Sequence, residues 1–585
     1  MLNIQSVIEN RYPEFLNRSK FITRPIIALL RLLFHERECQ QFGERFPHAQ
    51  GVDFIDEVFN YFDFSYSVRH NERERIPVSG KLIIIANHPI GTLDGMALLK
   101  LVSEVRADVK VMGNDMLMTV APIRSLVLPV NNMEGGTTGN KLKAINNHLN
   151  VNEGALIIFP AGEVSRMSPS GVKDGKWRSG FMRIAEATQS PILPVFVDAR
   201  NSLFFYSLSF LSRPLSTLWL IRETFKHTKN SVSIRIGEQI KPAIFQNIKI
   251  PLKAKSSLFK KQVYRIGKGK SSLFPTEKAI AHPENPQLLR QEIQKCELIG
   301  ETKDNKKIYL YTHKPNDCLM REIGRLREVA FRAVGEGTGN RRDIDQFDQR
   351  YFHIVLWDAN ELEVVGAYRL NSTHKALKPS GKQKVYSATL FDFQPSISPY
   401  IKQGLELGRS FVQPKYWGTR SLEYLWYGIA AFLNKNPQYR YLIGPVSISN
   451  TYSKTAKDML IYFYSQYFGC NKQWVLAKTP YIIDEQSTEH LERLFENLDT
   501  REAFALMKSQ LSHMGYSVPV LYKQYSELCE IGGVQFLDFN IDPDFSDCVD
   551  GLVMVDALKI KEIKRKRYGL EGALESNLER NAFPV

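Results

Sequence analysis

Residues 81–94, KLIIIANHPIGTLD, decide the fold of the first half of this chain. Their continuous apolar run predicts a buried strand, and the polar stretch with Pro89 and Gly91 predicts the loop that ends it. Helical spacing follows at residues 96–105, MALLKLVSEV. A buried strand, a tight loop and a helix in this order are typical of a mostly parallel α/β sheet.

The same alternation continues on both sides of this stretch. Residues 1–75 mix helical periodicity with aromatic side chains. Further short apolar strands are predicted at 107–115, 154–163, 190–199 and 231–240, with a helix at 181–188 (FMRIAEAT). The first half is therefore expected to be an α/β domain, which we place at residues 1–245.

The loop after the first strand carries a histidine and a carboxylate, His88 and Asp94. Acyl transfer to a hydroxyl needs a base of near-neutral pKa to take the hydroxyl proton, and a neighbouring carboxylate can orient the imidazole. A GxSxG nucleophile elbow is absent from the sequence, which favours direct transfer from a thioester over an acyl-enzyme. His88 and Asp94 are the predicted catalytic pair.

A second loop follows another apolar strand, at residues 159–166, FPAGEVSR. Its Glu163 and Arg166 are expected to hold the polar head of the acceptor. The predicted substrate contacts of this half also include three further residues, namely Asn87, Gly91 and Ser165.

These two loops, in this order, resemble those of the lysophospholipid (glycerolipid) acyltransferase family, and the form NHPxGxxDG with FPAGExSR is similar to its hemolysin-like branch. The resemblance spans roughly residues 75–245. It implies that His88 is the base and Asp94 its orienting carboxylate. The chain departs from the family pattern in its longer His-x5-Asp spacing and in Ala161, where the family has Glu.

The second half begins near residue 290 and has an α+β order. We predict a helix at 320–334, strands at 351–358, 364–370 and 387–393, a helix at 422–434 and a strand at 439–448. Residues 450–585 are assigned to the same domain by default, so that the second domain covers 286–585.

Polar residues of this half recur in a recognisable order: Arg327, Phe331, Asp345, Asp348, Arg369, Glu406 and Arg409. The pattern resembles that of carrier-protein-dependent N-acyltransferases that make N-acyl-ornithine, which are similar to acyl-homoserine-lactone synthases on the GNAT fold. The resemblance covers roughly residues 290–450. It implies a GNAT-like α+β domain that acylates an amine.

N-acylation requires a neutral amine, and Glu406 is the predicted base. Arg369 and Arg409 are expected to bind the carboxylate of an amino acid through bidentate guanidinium geometry, and Arg327 and Phe331 complete the predicted contacts. Two structural explanations of these residues remain open beside the catalytic one. In the first, Glu406 and Arg409 pair with each other. In the second, Asp345 and Asp348 serve only as caps or arginine partners.

Both halves together resemble the bifunctional ornithine lipid synthases of bacteria. The resemblance implies that the second domain N-acylates ornithine with a 3-hydroxyacyl group from acyl carrier protein. The first domain then O-acylates the 3-hydroxyl of that lyso-lipid. Three alternatives remain: glycine or another amino acid as head group, a non-catalytic second half on one lysophospholipid acyltransferase, and nucleic-acid binding, which no recognisable binding motif supports.

Charge and cysteine content fit this interpretation. Lys and Arg total 77 against 62 acidic residues, a net charge of +15, which favours an acidic carrier protein and an anionic membrane surface as partners. The six cysteines form no CxxC pair, so the expectation is a reduced, cytosolic protein without disulfides or metal. We expect it to lie peripherally on the inner face of the cell membrane, with no cofactor beyond the acyl-carrier donor.

Two segments allow more than one interpretation. Residues 202–221 are long and apolar but interrupted by Arg213 and Pro214, and they form either buried core or a surface that enters one leaflet. Residues 246–285 are basic and rich in Ser, Gly and Pro. They are predicted to be a linker, either merely solvated or a patch for a lipid headgroup or an acidic carrier.

Overall fold

The structure, a computed structural model, describes residues 4–11, 14, 20–114, 117–118, 120–130, 139–169, 171–374 and 385–570. The chain divides into two compact units, residues 1–282 and 283–585.

The first unit is built on a seven-stranded sheet with strand order β1-β9-β8-β2-β5-β3-β4. All neighbours are parallel except β8 and β9, so the predicted mostly parallel α/β sheet is confirmed. The strands are β1 Ser65–Val68, β2 Leu82–Ala86, β3 Val109–Asn114, β4 Val127–Val130, β5 Ala155–Ile158, β8 Ile192–Asp198 and β9 Ser231–Ile236, and β6 Arg166–Ser168 pairs with β7 Gly171–Lys173 outside the sheet.

Helices cover both faces of this sheet. They are α1 Ile4–Arg11, α2 Lys20–Leu33, α3 Glu36–Arg45, α4 Gly51–Phe62, α5 His70–Arg73, α6 Thr92–Ser103, α7 Gly139–Asn146, α8 Gly180–Thr188, α9 Leu203–Leu211, α10 Arg213–Lys226, α11 Pro242–Gln246 and α12 Leu252–Gly267. The central strands β2 and β5 are fully buried between two apolar layers, which is why their sequences are continuous apolar runs.

The apolar stretch 202–221 is not a single core element. It forms parts of α9 and α10, separated at Ser212. Phe205 and Tyr206 are buried, whereas Phe210 is 90% and Leu211 84% exposed. The interpretation as buried core is therefore wrong for most of the segment, because its apolar side chains lie on two faces of each helix. No helix in the described ranges has the length and apolarity needed to cross a bilayer.

The predicted linker at residues 246–285 is also corrected by the structure. Its residues 252–267 form α12, on which Phe259 and Val263 are fully buried in the core of the first unit. These apolar residues recur at helical spacing, so the helix packs one face on β8, while Lys253 and Lys261 are exposed. The division between the units falls after His282.

The second unit contains an eight-stranded sheet with strand order β10-β11-β12-β13-β15-β16-β19-β18. Only β15 and β16 are parallel neighbours. The strands are β10 Glu297–Glu301, β11 Lys306–Thr312, β12 Phe352–Asp358, β13 Glu363–Ser372, β15 Gly404–Val412, β16 Tyr441–Ile448, β18 Val534–Asp542 and β19 Cys548–Asp556, and β14 Phe391–Phe393 pairs with β17 Val475–Ala477 separately.

The helices of this unit pack on both faces of its sheet. They are α13 Pro286–Ile293, α14 Cys318–Ala333, α15 Ser387–Leu390, α16 Ser398–Lys402, α17 Ser421–Lys435, α18 Lys454–Phe468, α19 Glu485–Leu494, α20 Thr500–His513, α21 Val520–Leu528 and α22 Glu562–Tyr568. The α+β order predicted for this half is confirmed. Residues 450–570 supply the last two strands of the sheet, β18 and β19.

One predicted strand, at 387–393, is wrong in part. Ser387–Leu390 is a short helix, and only Phe391–Phe393 is extended. The backbone N–H and the hydroxyl of Ser387 both donate to the carboxylate of Glu406, which turns the chain here. A contact across the fold therefore overrides the local apolar pattern.

Strands β15 and β16 diverge along their length. They pair only at Gly404–Tyr441, Leu405–Leu442 and Glu406–Ile443. Beyond these pairs β15 contains a bulge against β13, where Arg409 has φ 49°. A left-handed backbone costs a residue with a side chain on the order of 1 kcal/mol, so the bulge re-aims Arg409 at that cost.

Candidate active sites

The His88–Asp94 pair lies where β2 meets α6. Nδ1 of His88 is 2.9 Å from Oδ1 of Asp94, whose side chain is fully buried. The other oxygen of Asp94 accepts hydrogen bonds from the backbone N–H groups of Ile90 (2.9 Å) and Gly91 (3.3 Å). The turn thus fixes the carboxylate next to the imidazole, and the roles of the pair as base and orienter stay a prediction.

The environment of His88 stabilises the protonated form of its imidazole. Burial lowers the pKa of His88, but the carboxylate of Asp94, assisted by Asp174, outweighs burial and raises that pKa above its ordinary value. The ring stacks on Phe159 at 4.1 Å between centroids, and the side chain is 21% exposed. Among the described residues none is hydrogen-bonded to Nε2, so this atom can receive a proton from a hydroxyl.

Asp174 is a buried carboxylate that the sequence analysis missed. Its Oδ1 accepts from the backbone N–H of His88 (3.2 Å) and from Oγ of Ser165 (2.5 Å). Its Oδ2 accepts from Nε1 of Trp177 (2.8 Å). Asp174 therefore ties both predicted loops together. A carboxylate three residues before a tryptophan in a Gly-rich stretch is the one signal that would have indicated it.

Three predicted substrate contacts prove to hold the loops in place. The amide of Asn87 donates to the carbonyl of Val197 and accepts from its N–H, both at 2.8 Å. Gly91 has φ 98°, which a side chain would strain, and a Cβ there would lie 3.0 Å from Leu220. Ser165 is buried and donates its N–H to the carbonyl of His88 at 2.7 Å. A substrate role for these three stays a prediction.

Glu163 and Arg166 form an ion pair of 3.1 Å at the edge of the site. Arg166 also donates to the hydroxyls of Ser209 on α9 (2.5 Å) and Ser216 on α10 (2.7 Å). Glu163 is 41% exposed on its side chain, whereas Arg166 is 14% exposed. Arg166 thus anchors the loop to these two helices, and Glu163 is the member of the pair that a ligand can reach.

The predicted arginines and aspartates of the second unit form one buried ion-pair network. Nη1 of Arg327 donates to Asp348 at 2.8 Å. Nη1 of Arg369 donates to both oxygens of Asp345 at 2.8 Å and to Asp348 at 3.1 Å. Arg327 and Arg369 are fully buried. The structure thus agrees with the alternative in which Asp345 and Asp348 are arginine partners, and it leaves Arg369 inaccessible to a substrate carboxylate.

Glu406 is placed differently from a free base. Its Oε1 accepts from the N–H (2.7 Å) and the hydroxyl (2.5 Å) of Ser387, and its Oε2 accepts from the N–H of Tyr386 (3.1 Å) and from the hydroxyl of Tyr351. The residue is 1% exposed. These donors occupy the carboxylate, so Glu406 caps the segment that starts at Tyr386. The pairing of Glu406 with Arg409 is not found.

Arg409 is the predicted contact that remains partly accessible, with 11% of its side chain exposed. Its Nε lies 3.1 Å from Asp343, and its guanidinium lies between the rings of Tyr386 (4.7 Å) and Phe545 (4.6 Å). Phe331 packs edge-on against the same Phe545 ring at 5.1 Å. Arg409 and Phe331 therefore meet at one place, next to the divergence of the strands.

His353 is buried and its neighbours oppose its protonation. Burial, with the charge of Arg327 beside it, lowers the pKa of His353 to about 3. Its Nε2 contacts the backbone carbonyl of Asp348 at 3.1 Å. It is a neutral core residue.

Two family models match the chain. The model described as Acyltransferase matches residues 16–272, and the model described as Acetyltransferase (GNAT) domain matches residues 326–427. A glycine N(alpha)-acyltransferase of Bacteroides thetaiotaomicron is 31% identical over 318 residues, which cover 52% of this chain and 93% of that protein.

Two further relatives match smaller shares of the chain. A lyso-glycine lipid O-acyltransferase of Phocaeicola vulgatus is 25% identical over 43% of this chain and 90% of that protein. An L-ornithine N(alpha)-acyltransferase of Brucella abortus is 34% identical over 19% of this chain and 43% of that protein. The expected order, an acyltransferase domain ahead of a GNAT domain, is confirmed. The chain is thus an acyltransferase that belongs to the glycine N(alpha)-acyltransferase family and joins its GNAT domain to an N-terminal acyltransferase domain.

Proposed function

We propose that this chain makes an amino-acid lipid in two successive acyl transfers. The second unit N-acylates the amino acid with a 3-hydroxyacyl group, and the first unit esterifies the 3-hydroxyl of the product. The observation that best supports the proposal is that the partly exposed His88 lies next to the buried carboxylate of Asp94, an arrangement suited to a base for a hydroxyl acceptor. Its support from relatives is that the two halves resemble enzymes whose names describe these two steps.

The O-acylation step follows from the first site. Nε2 of His88 takes the proton of the lyso-lipid hydroxyl while the oxygen attacks the thioester carbonyl. The thiolate leaves as the new ester forms, and the protonated imidazole returns its proton to that thiolate. Asp94, fixed by two backbone N–H groups, stabilises the imidazolium between these events.

Glycine is the amino acid that we propose as acceptor. The relatives that this chain covers at 93% and 90% of their length are named for glycine and for lyso-glycine lipid. Ornithine, which the sequence resemblance favours, is the second candidate. Relatives named for ornithine match at comparable identity over shorter stretches, 43% of the Brucella abortus protein.

The donor that we propose is an acyl-acyl carrier protein. The net charge of +15 favours association with a strongly acidic carrier. A thioester also supplies the activated carbonyl that both steps need, and no further cofactor enters the proposed chemistry.

The first unit has a surface suited to a lipid bilayer, and we propose that it binds the membrane peripherally there. α2 packs against α10, and α9 is joined to α10 through Ser212. These helices expose large apolar side chains, namely Phe21, Leu29, Leu32, Leu203, Phe210, Leu211 and Leu215. Arg166 links α9 and α10 directly to the loop beside His88, so a lipid acceptor bound there would lie near the base.

Lipid analysis of a host that makes no amino-acid lipid tests the proposal. The host expresses the wild type, His88→Ala, or His48→Ala as a matched control, since His48 is exposed outside the site. Cells are fed labelled glycine or labelled ornithine. The wild type and the control should make a diacylated, phosphorus-free lipid that carries glycine. His88→Ala should accumulate the mono-acylated form.

Other outcomes revise the proposal in defined ways. Incorporation of ornithine instead of glycine makes ornithine the head group and leaves both steps intact. A wild type that makes no amino-acid lipid but restores a host lacking lysophosphatidate acylation would show a glycerolipid acyltransferase, and the N-acylation proposal would be wrong.

A further inference from the structure

The loop after α14 places a carboxylate, Glu336, beside the divergence of β15 and β16. Gly335 (φ 79°) and Gly337 (φ 109°) flank it, and both conformations favour glycine. The carbonyl of Gly337 accepts from Oγ of Ser546 at 2.8 Å, and that of Val334 from Oγ of Ser449 at 2.7 Å. Hydrogen bonds thus fix the loop on both sides of Glu336.

Glu336 contacts the end of β16. Its Oε2 accepts from Oγ of Ser447 at 2.9 Å, and the residue is half-buried. Burial raises the pKa of Glu336 to about 7, although Ser447 and the charge of Arg409 act in the opposite direction. A carboxylate of this kind releases and accepts a proton near neutral pH.

Asp550 of β19 lies directly opposite Ser447, so the two side chains share one face of the sheet. It is 5% exposed, and the one hydrogen bond of its carboxyl group within the described residues is a weak contact from the Cys548 thiol, at 4.0 Å. Burial and the neighbouring carboxylates of Asp542 and Glu336 raise the pKa of Asp550 well above its usual range. A buried carboxyl with so few donors suits a cationic ligand.

Arg409 supplies the opposite charge near both carboxyl groups, because its guanidinium acts to lower the pKa of Glu336 and of Asp550. Arg409 is held by Asp343 and by the ring of Tyr386, whose hydroxyl donates to Asp542 at 3.0 Å. One arginine together with two carboxyl groups is complementary to the two charges of an amino-acid zwitterion.

We propose that Glu336 is the catalytic base of the N-acylation: it takes a proton from the α-ammonium of the amino acid, which Asp550 binds while Arg409 faces the α-carboxylate. This inference rests on the proposed N-acylation and adds the group that makes the amine nucleophilic. Glu406, whose carboxylate is fully occupied, then keeps a structural role.

Glu336 removes one proton from the ammonium, and the neutral nitrogen attacks the thioester carbonyl carbon. A C–N bond forms and the C–S bond breaks. The second proton of the attacking nitrogen goes to the departing thiolate, and Glu336 releases its own proton to solvent. The products are an amide, a thiol and one proton.

Titration of Glu336 depends on the groups that face it. These are Arg409 on β15, Cys548 and Asp550 on β19, Tyr452 in the loop after β16, and Ser447 on β16 as its hydrogen-bond donor. N-acylation by the wild type should therefore rise with pH through about 7, as Glu336 loses its proton.

The test measures N-acylation by the purified full chain with a 3-hydroxyacyl thioester and glycine or ornithine, from pH 5.5 to 9. Variants are Glu336→Gln, Glu336→Asp, Asp550→Asn and, as a matched control, Glu361→Gln, whose side chain is exposed and paired with Lys415. Thiol release and the N-acyl product are followed together.

Glu336→Gln should lose at least about 100-fold in kcat/KM and lose the rise near pH 7. Glu336→Asp should keep part of the rate and the rise, and Asp550→Asn should raise KM for the amino acid roughly tenfold. An active Glu336→Gln with the wild-type pH profile would overturn this assignment alone. A wild type inactive with every amino acid would instead refute the N-acylation proposal, and this inference with it.

Discussion

The two units use the same kinds of residue in opposite ways. In the first, buried Asp94 serves one accessible histidine, and Nε2 of His88 faces outward. In the second, Arg327 and Arg369 are neutralised by Asp345 and Asp348. The carboxylate of Glu406 accepts hydrogen bonds from four donors.

The comparison shows that a recognisable order of charged residues does not by itself mark the reacting groups. A charge buried in protein must be paired, so a set of arginines and aspartates that recurs in one order can be the scaffold. The reacting group can then come from a residue outside the pattern, as we propose for Glu336.

The substitution His88→Ala should have the largest effect and tests the first unit of this comparison. O-acylation of the lyso-lipid should fall roughly 10²–10⁴-fold, because the hydroxyl loses its base. The midpoint of thermal unfolding should stay close to that of the wild type, since the ring is 21% exposed and packs mainly on Phe159. Single-turnover assays with His48→Ala as control measure this. Retained O-acylation would show that another group is the base.

Asp348→Ala tests the scaffold of the second unit. It leaves Arg327 and Arg369 buried without a shared carboxylate, which should cost about 3–5 kcal/mol of unfolding free energy. Urea denaturation monitors the loss. The exposed pair Glu361–Lys415 is the control, and Glu361→Ala should cost no more than about 1 kcal/mol. Equal effects of the two variants would contradict a structural role for the network.

Glu406→Gln distinguishes a cap from a base. The amide NH₂ would face donors on Ser387 or on Tyr386 and Tyr351, at a cost of about 1–3 kcal/mol in stability. N-acylation per folded molecule should change little. Denaturation measures the stability of the variant. Its N-acylation rate is measured at a temperature where it is folded. A 100-fold loss of rate with unchanged stability would restore Glu406 as the base.

The smallest expected effect is a shift of pH dependence in the first unit. Because Asp94 raises the pKa of His88, O-acylation should increase with pH through a midpoint above the ordinary histidine value. Asp94→Asn removes that charge, so the midpoint should move to lower pH while the maximal rate falls. Rates of O-acylation from pH 5 to 9 are measured for the wild type and for Asp94→Asn. An unmoved midpoint would mean that the titrating group is not His88.

Sequence was informative where the site is local. His88 and Asp94 are six residues apart across one strand-to-helix turn, so their contact follows from the strand, the loop and the helix that the pattern predicts. It was less informative for Glu406 and Arg369. Their motif positions are plain in the sequence, but whether a charged side chain is open or covered depends on distant partners, such as Ser387 and Asp345.

The sequence by itself determined the order of the two domains, the strands β2, β3, β5, β8 and β9 of the first and β12, β13 and β16 of the second, and the closeness of His88 and Asp94. These depend on short-range periodicity and spacing. Tertiary structure decided the rest. It brought Asp174 between the two loops of the first site, packed residues 252–267 into the first unit, and set Glu336 against Ser447, 111 residues away. Contacts of this range arise from packing and from pairing of buried charge, which no local pattern encodes.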